Sequence, residues 1–318
     1  MALTRNLKRR GFVATLGLLI VSTCAIALPG QANARGVSVD YDNGLGGNAS
    51  EIGVYSPAMD KVIKNRVLHA AGGSAPTLYL LTGLGGGEDN ISWWDHSQVR
   101  QFFAGKHVNV VMPVGGRSSM YTDWNADDPV LGRNKWQTYL TRELPGLLNG
   151  YLSTTGVNAI AGVSMSAGPA LDLAIQAPDV YRAVGSYSGC AKTSDIPGAT
   201  AVSTIVGLGG GNPINMWGLP SSPQWVAHDP YVNAQRLVGK AIYISAASGL
   251  PGPIDKGGFP NPPVEGLSAI CTGLFAARLS SLGIPATYVQ RPQGAHTWGL
   301  FEADLRDSWP LIADAIGA

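Results

Sequence analysis

The sequence predicts an α/β fold, a mostly parallel central sheet with helices on both faces. Three observations carry this. The continuous apolar runs at residues 76–81, 108–114 and 159–163 read as strands covered on both faces. Segments of helical period separate such runs, so strand and helix alternate as right-handed parallel crossovers require. The stretch from Ala159 to Gly168 passes from a strand through a turn of small residues into a helix, with Ser164 at the turn.

In chain order, residues 1–34 read as a secretory signal peptide. Arg5, Lys8, Arg9 and Arg10 make a basic start, residues 12–28 an apolar run, and Ala32-Asn33-Ala34 a small-residue cleavage pattern. The apolar run is shorter than the roughly 20 residues that span a bilayer and ends in Pro29-Gly30. The residues before Cys24 match a lipoprotein box poorly, so no lipid is expected there. Without this segment, residues 35–318 carry 18 basic and 21 acidic side chains. That mild acidity excludes an electrostatic footprint for nucleic acid and a polybasic membrane binder. No later run is apolar and long enough to span a membrane. The 42 Gly and 21 Pro are dispersed between apolar runs, which points to long ordered loops within a single domain, residues 35–318. Cys190 and Cys271 are the two cysteines left in an exported chain and are expected to form a disulfide.

Residues 36–41 and 51–56 are expected to be early strands joined by a Gly/Asn turn. The strand at 76–81 leads into Thr82-Gly83-Leu84-Gly85-Gly86-Gly87, which lacks the phosphate-loop and dinucleotide fingerprints. Glycine there suits backbone N–H groups that must closely approach an acyl oxygen. Residues 90–103 read as an amphipathic helix holding Trp93 and Trp94. The strand at 108–114 opens into a polar and aromatic loop with Arg117, Tyr121, Asp123 and Trp124, at a strand end where open sheets place ligands. A helix is expected at 135–152, kinked at Pro145, and a further strand at 181–189. Residues 191–236 break the alternation and contain Trp217 and Trp225, as a lid-like insertion would. The sheet resumes at 240–246, followed by a helix at 265–282, a last strand at 286–290, a loop at 294–298 and a final helix.

Gly162-x-Ser164-x-Ser166 matches the nucleophile-elbow fingerprint, with one small residue in place of the last glycine. A Ser hydroxyl needs an adjacent base. Of the five histidines, only His296 lies in a loop after the last core strand, where a base is delivered in this kind of fold. The third member, a carboxylate that orients the imidazole, is Asp255 in a loop or Glu265 at the head of a helix. The pattern alone leaves both open.

Longer matches run in one order across nearly all of residues 35–318. They are Leu78 to Leu84, Val110 to Ser119 with Tyr121 and Asp123-Trp124, Gly162 to Met165, Met216-Trp217-Gly218 with Asp229-Pro230, Val264 to Leu267, and His296-Thr297-Trp298. Through these the chain resembles the secreted mycolyltransferases of the antigen 85 family and their corynebacterial relatives. The resemblance implies an α/β-hydrolase fold and transfer of a mycolyl chain from a trehalose ester to a hydroxyl acceptor. It implies Ser164 as nucleophile, His296 as base and Glu265 as acid, with the backbone N–H groups of Leu84 and Met165 as oxyanion hole. Arg117, Asp123, Trp217 and Trp298 are the expected substrate contacts. Family members carry Asp-Gly-Leu-Arg in the loop after Leu81, with the Asp and Arg on trehalose; Thr82 and Gly85 stand there in this chain, so the sugar contacts must differ. No metal or organic cofactor is expected, since no ligand cluster has suitable spacing. The expected partners are a trehalose mycolate-type glycolipid and a sugar, cell-wall or protein hydroxyl, in the cell envelope or outside it. Two alternatives stand beside this reading: an exported carboxylesterase with water as acceptor, and a catalytically silent carbohydrate- or matrix-binding protein on the same fold.

Overall fold

The computed structural model describes residues 1–2 and 35–318, so the signal-peptide segment lies, but for its first two residues, outside the described residues. Nine strands among the described residues build one sheet: β1 (Ser38–Gly46), β2 (Ala49–Ser56), β3 (Lys61–Leu68), β4 (Thr77–Leu81), β5 (Asn109–Val114), β6 (Asn158–Val163), β7 (Tyr181–Tyr187), β8 (Ala241–Ala247) and β9 (Thr287–Arg291). Their spatial order is β1-β2-β3-β5-β4-β6-β7-β8-β9. The first three strands pair antiparallel, and β3 meets β5 antiparallel; every pairing from β5 to β9 is parallel. The helices are α1 (Trp93–His96), α2 (Val99–Phe103), α3 (Trp136–Thr138), α4 (Leu144–Tyr151), α5 (Ala167–Gln176), α6 (Ile196–Leu208), α7 (Pro213–Trp217), α8 (Pro223–Ala227), α9 (Pro262–Ser281) and α10 (Trp298–Ile316).

The parallel strands are apolar throughout because both faces are covered. Tyr79 and Leu81 of β4, Val111 of β5 and Ile160 of β6 pack in one layer with Leu148 of α4, Leu171 of α5 and Phe275 of α9. Leu78 and Leu80, Val110, and Ala159 and Ala161 alternate to the opposite layer, with Trp93 of α1, Phe103 of α2 and Leu305 of α10. Each such aliphatic or aromatic side chain removed from water contributes about 1.5–3 kcal/mol before the entropy of ordering is counted.

Four segments differ from the sequence expectation, each for a local reason. The strand β3 was not foreseen; it pairs with β2 over its whole length and joins the antiparallel flank to β5. The helix expected at 90–103 is two short ones, α1 and α2. Between them Ser97 is extended; its hydroxyl donates to the Trp93 carbonyl at the end of α1 and accepts from the N–H of Val99, the first residue of α2. The helix expected at 135–152 carries a π-turn at Tyr139–Glu143, just before Pro145, which has no N–H to continue the α ladder. The insertion between β7 and β8 is helical, comprising α6, α7, α8 and a 3-10 turn at Ala234–Leu237. Asp195, Asn212 and Ser222 cap the starts of those three helices, each before a Pro in the first turn.

Candidate active site

The central strand β6 ends at Val163, and the chain turns at once through a 3-10 turn, Ser164–Ser166, into α5. Ser164 has φ +57°, the left-handed conformation that a non-glycine residue adopts only at a cost. Two neighbours hold it there. A Cβ at Gly162 would collide with the Ser166 carbonyl, so only glycine lets strand and helix approach this closely. Ser166, in the place of the fingerprint's last glycine, has φ −88°, which any residue adopts. Its buried hydroxyl accepts from Val163 N–H at 2.8 Å and donates to the Val163 carbonyl at 3.0 Å, locking the turn.

The loop after β9 brings His296 to this turn, with Nε2 2.8 Å from the Ser164 hydroxyl. Its Nδ1 lies 2.7 Å from Glu265 Oε2. Glu265 is in the first turn of α9, and its residue exposure is 0%. A carboxylate so buried needs full hydrogen bonding. Besides His296, Glu265 Oε1 accepts from the Ser188 hydroxyl at 2.9 Å and from Ala247 N–H at 2.6 Å. The ends of β6, β7, β8 and β9 thus converge at one sheet edge. Asp255 has a different place: its Oδ1 accepts from Ala295 N–H and from the Thr297 hydroxyl, both at 2.8 Å, and so grips the loop on either side of His296. Phe301 meets the His296 ring edge-on. Ser164, Ser188 and His296, with Ser118, Met120 and Tyr121 in the loop after β5, all have positive φ. Strain gathered at one place and held by its surroundings is typical of a functional site.

Two cavities meet at Ser164. One, of about 390 Å³, is lined by Leu84, Gly85, Asp89, Arg117, Leu208, His296 and Trp298. The other, of about 360 Å³, is mainly apolar, with Met120, Met165, Val202, Ile205, Val264 and Leu267 on its walls. Leu84, Ser164, Leu208 and His296 border both. Met165 is the second residue of the turn, where its N–H has no partner within the turn.

Two expected substrate contacts lie elsewhere. Asp123 accepts from the Thr138 N–H and hydroxyl and secures the end of α3. Trp217 is buried; its indole N–H donates to Thr122, and its ring stacks on His228. Both are absent from the cavity walls because their polar atoms are used to brace the 115–124 loop from behind. Conversely, Ser188, Phe301 and the walls from α6 were not singled out from sequence, and Asp255 was singled out only as the alternative acid, not as a brace of the His296 loop. Ser188 and Asp255 act through contacts between residues distant in the chain, which no local pattern encodes. Cys190 and Cys271 form a disulfide with their Cα atoms 4.9 Å apart. Among the described residues there is no His/Cys/Asp/Glu group able to hold a metal, and no helix long and apolar enough to cross a membrane.

An open, mostly parallel sheet with a strained Ser at the end of its central strand, hydrogen-bonded through His to a buried carboxylate, is the arrangement of the α/β-hydrolases. The chain belongs to the esterase family, in its antigen 85 branch: the family model described as "Putative esterase" matches residues 56–312. The diacylglycerol acyltransferase/mycolyltransferase Ag85A of Mycobacterium tuberculosis is 32% identical over 98% of this chain and 93% of its own length. The Ag85B protein of Mycobacterium leprae is 31% identical over 97% and 93%. The crystal structure of MPT51 (FbpC1) of Mycobacterium tuberculosis superposes with a TM-score of 0.73 at 27% identity, covering 85% of this chain and all of that one. An S-formylglutathione hydrolase of Agrobacterium tumefaciens shares the fold, with a TM-score of 0.66 at 15% identity, covering 88% of this chain and 99% of its own.

Proposed function

We propose that this chain is an exported acyltransferase that moves a mycolyl-type acyl chain from a trehalose ester to a second hydroxyl, through an acyl-enzyme on Ser164. The observation that carries the reading is the unbroken Ser164–His296–Glu265 hydrogen-bond chain standing where an apolar cavity meets one that holds the charged Asp89 and Arg117. His296 Nε2 takes the Ser164 proton as Oγ attacks the ester carbonyl, and the Glu265 carboxylate stabilises the imidazolium that forms. The developing oxyanion is received by the N–H groups of Leu84 and Met165. Collapse expels the trehalose oxygen, which takes the proton from His296. An acceptor hydroxyl then gives its proton to His296 and attacks the acyl-enzyme, restoring Ser164. The acyl chain occupies the cavity bounded by Val202, Ile205 and Leu267, and the sugars occupy the cavity bounded by Arg117 and Trp298. Export is supported by the pattern of residues 1–34 and by the disulfide.

The test is mass spectrometry of products after incubation with trehalose monomycolate, with and without added trehalose. Transfer predicts trehalose dimycolate with release of trehalose, less dimycolate when added trehalose competes as acceptor and returns the acyl group to monomycolate, and an acyl adduct on the Ser164 peptide that is absent from Ser164→Ala. Free mycolic acid alone, indifferent to added sugar, would make the protein an esterase; no adduct and no product would make it a silent binder.

A further inference from the structure

The Gly-rich loop after β4 folds back on the loop after β5: Gly115 N–H donates to the Gly86 carbonyl, and Ser118 N–H to the Leu84 carbonyl. This return brings Asp89 over Gly85. A Cβ built on Gly85 would fall on the Asp89 carboxylate, with Oδ2 the atom nearest to it. The space of a side chain at position 85 is therefore filled by a carboxylate from four residues further on. Asp89 Oδ1 accepts from Ile91 N–H at 3.0 Å, which fixes the side chain, and Asp89 lines the cavity that holds Ser164, Arg117 and Trp298. Neither Asp89 nor Arg117 joins an ion pair among the described residues. Thr82, at the loop's start, is buried and offers the cavity no charge.

We propose that Asp89, with Arg117 facing the same cavity, is the acceptor-specificity determinant of this protein, binding the hydroxyls of a sugar beside the acylated Ser164. A carboxylate accepts from two neighbouring sugar hydroxyls, a guanidinium donates to ring and hydroxyl oxygens, and an indole face suits the apolar side of a pyranose. Water and simple alcohols cannot use all three, so the arrangement selects a polyol over hydrolysis. Charge is thereby supplied from Asp89 and Arg117 in place of the family's loop pair at 82 and 85. This inference rests on the acyl-transfer reading above, and the experiment separates the two.

Acceptor dependence is measured with trehalose as the probe, after acylation by a p-nitrophenyl ester, and trehalose binding to the Ser164→Ala protein is measured calorimetrically. Asp89→Asn removes the charge. Gly85→Ala, which leaves Asp89 in the chain, puts a methyl group where the carboxylate sits. Both are expected to raise the half-saturating trehalose concentration about tenfold, the weight of one charged hydrogen bond. They should also shift products from transfer toward hydrolysis, a larger change than any in the p-nitrophenol burst. The same loss should appear in trehalose binding when either change is added to Ser164→Ala. Glu88→Gln, in the adjacent residue but outside this cavity, should leave acceptor dependence unchanged. Unaltered half-saturation and binding in Asp89→Asn would overturn the inference while leaving acyl transfer standing. An unmutated protein with no burst, but with Ser164→Ala binding trehalose through Asp89, would overturn acyl transfer and leave this contact standing.

Discussion

Two buried carboxylates in this molecule show how much a single environment decides. Glu265 has hydrogen bonds to both oxygens, from Ser188, Ala247 and His296. Asp304, in α10, is equally buried, but only its Oδ1 is paired, with Arg291, and its Oδ2 has no partner among the described residues. Burial pushes the Asp304 carboxyl up to about 7, although Arg291 pulls the other way. Desolvation is the largest influence and outweighs Arg291, whose guanidinium also pairs with the half-exposed Asp307. The sign of the consequence follows from proton counting. An unfolded aspartate ionises near pH 4, and the folded one holds its proton to about pH 7. Between these the native state binds more protons, so stability falls as pH rises. The whole interval corresponds to something on the order of 4 kcal/mol. Asp304→Asn should flatten this part of the profile. In urea titrations at pH 4.5 and 8.5, the stability lost by the unmutated protein between the two should exceed that lost by the variant by a few kcal/mol. Parallel profiles would show that Asp304 ionises normally.

At the scale of elements, α9 is the piece whose placement matters most, since Glu265 sits in its first turn. Three adjacent links hold it to the loop after β7. The Ser268 hydroxyl donates to the Ser188 carbonyl, the Thr272 hydroxyl to the Gly189 carbonyl, and Cys271 is bonded to Cys190. The disulfide joins residues 81 apart in sequence, so chain entropy alone assigns it about 4 kcal/mol. The double substitution Cys190→Ser/Cys271→Ser should lower the unfolding free energy by roughly 2–4 kcal/mol. Dithiothreitol should move the urea midpoint of the unmutated protein to the same value and leave the variant unmoved. Equal midpoints throughout would show that the two hydroxyl links suffice. The bridge was legible in the sequence, as were the parallel strands, whose uniform apolar runs have few other readings. Strand β3 was not, because its polar run Lys64-Asn65-Arg66 between apolar pairs lacks the alternation that marks a half-buried strand, and its partner β5 lies far along the chain. Nor was the break between α1 and α2, which turns on the hydroxyl of one serine, Ser97.

Over the whole molecule, the site is where four parallel strands deliver their C-terminal ends, and that much could be read from motif order. Ser164 and His296 were marked by a fingerprint and a position. Glu265 was separable from Asp255 only through resemblance, since both are acids in the right interval and both hold the His296 loop, one by its ring and one by its backbone. Asp123, in the loop after β5, and Trp217, in α7, stand off the walls of both cavities, and no local pattern separates a polar or aromatic side chain that faces a ligand from one that braces a loop. The division of the site into two cavities was invisible, because its apolar wall comes from α6 in the insertion and from α9, whose exposed and lining residues show no clean period. That wall yields a test of which cavity takes the acyl chain. Val202 is buried on α6 and lines the apolar cavity of about 360 Å³ together with Ile205 and Leu267. Phenylalanine at 202 would occupy the room of two or three methylenes. Each methylene kept from burial costs about 0.8 kcal/mol, so two displaced methylenes amount to about a tenfold effect. Val202→Phe should therefore lower the ratio of dodecanoyl to butanoyl p-nitrophenyl ester turnover about tenfold, read from the p-nitrophenol burst. If the acyl chain instead lies beside Arg117 and Trp298, the ratio will not move, and the assignment of the two cavities must be exchanged.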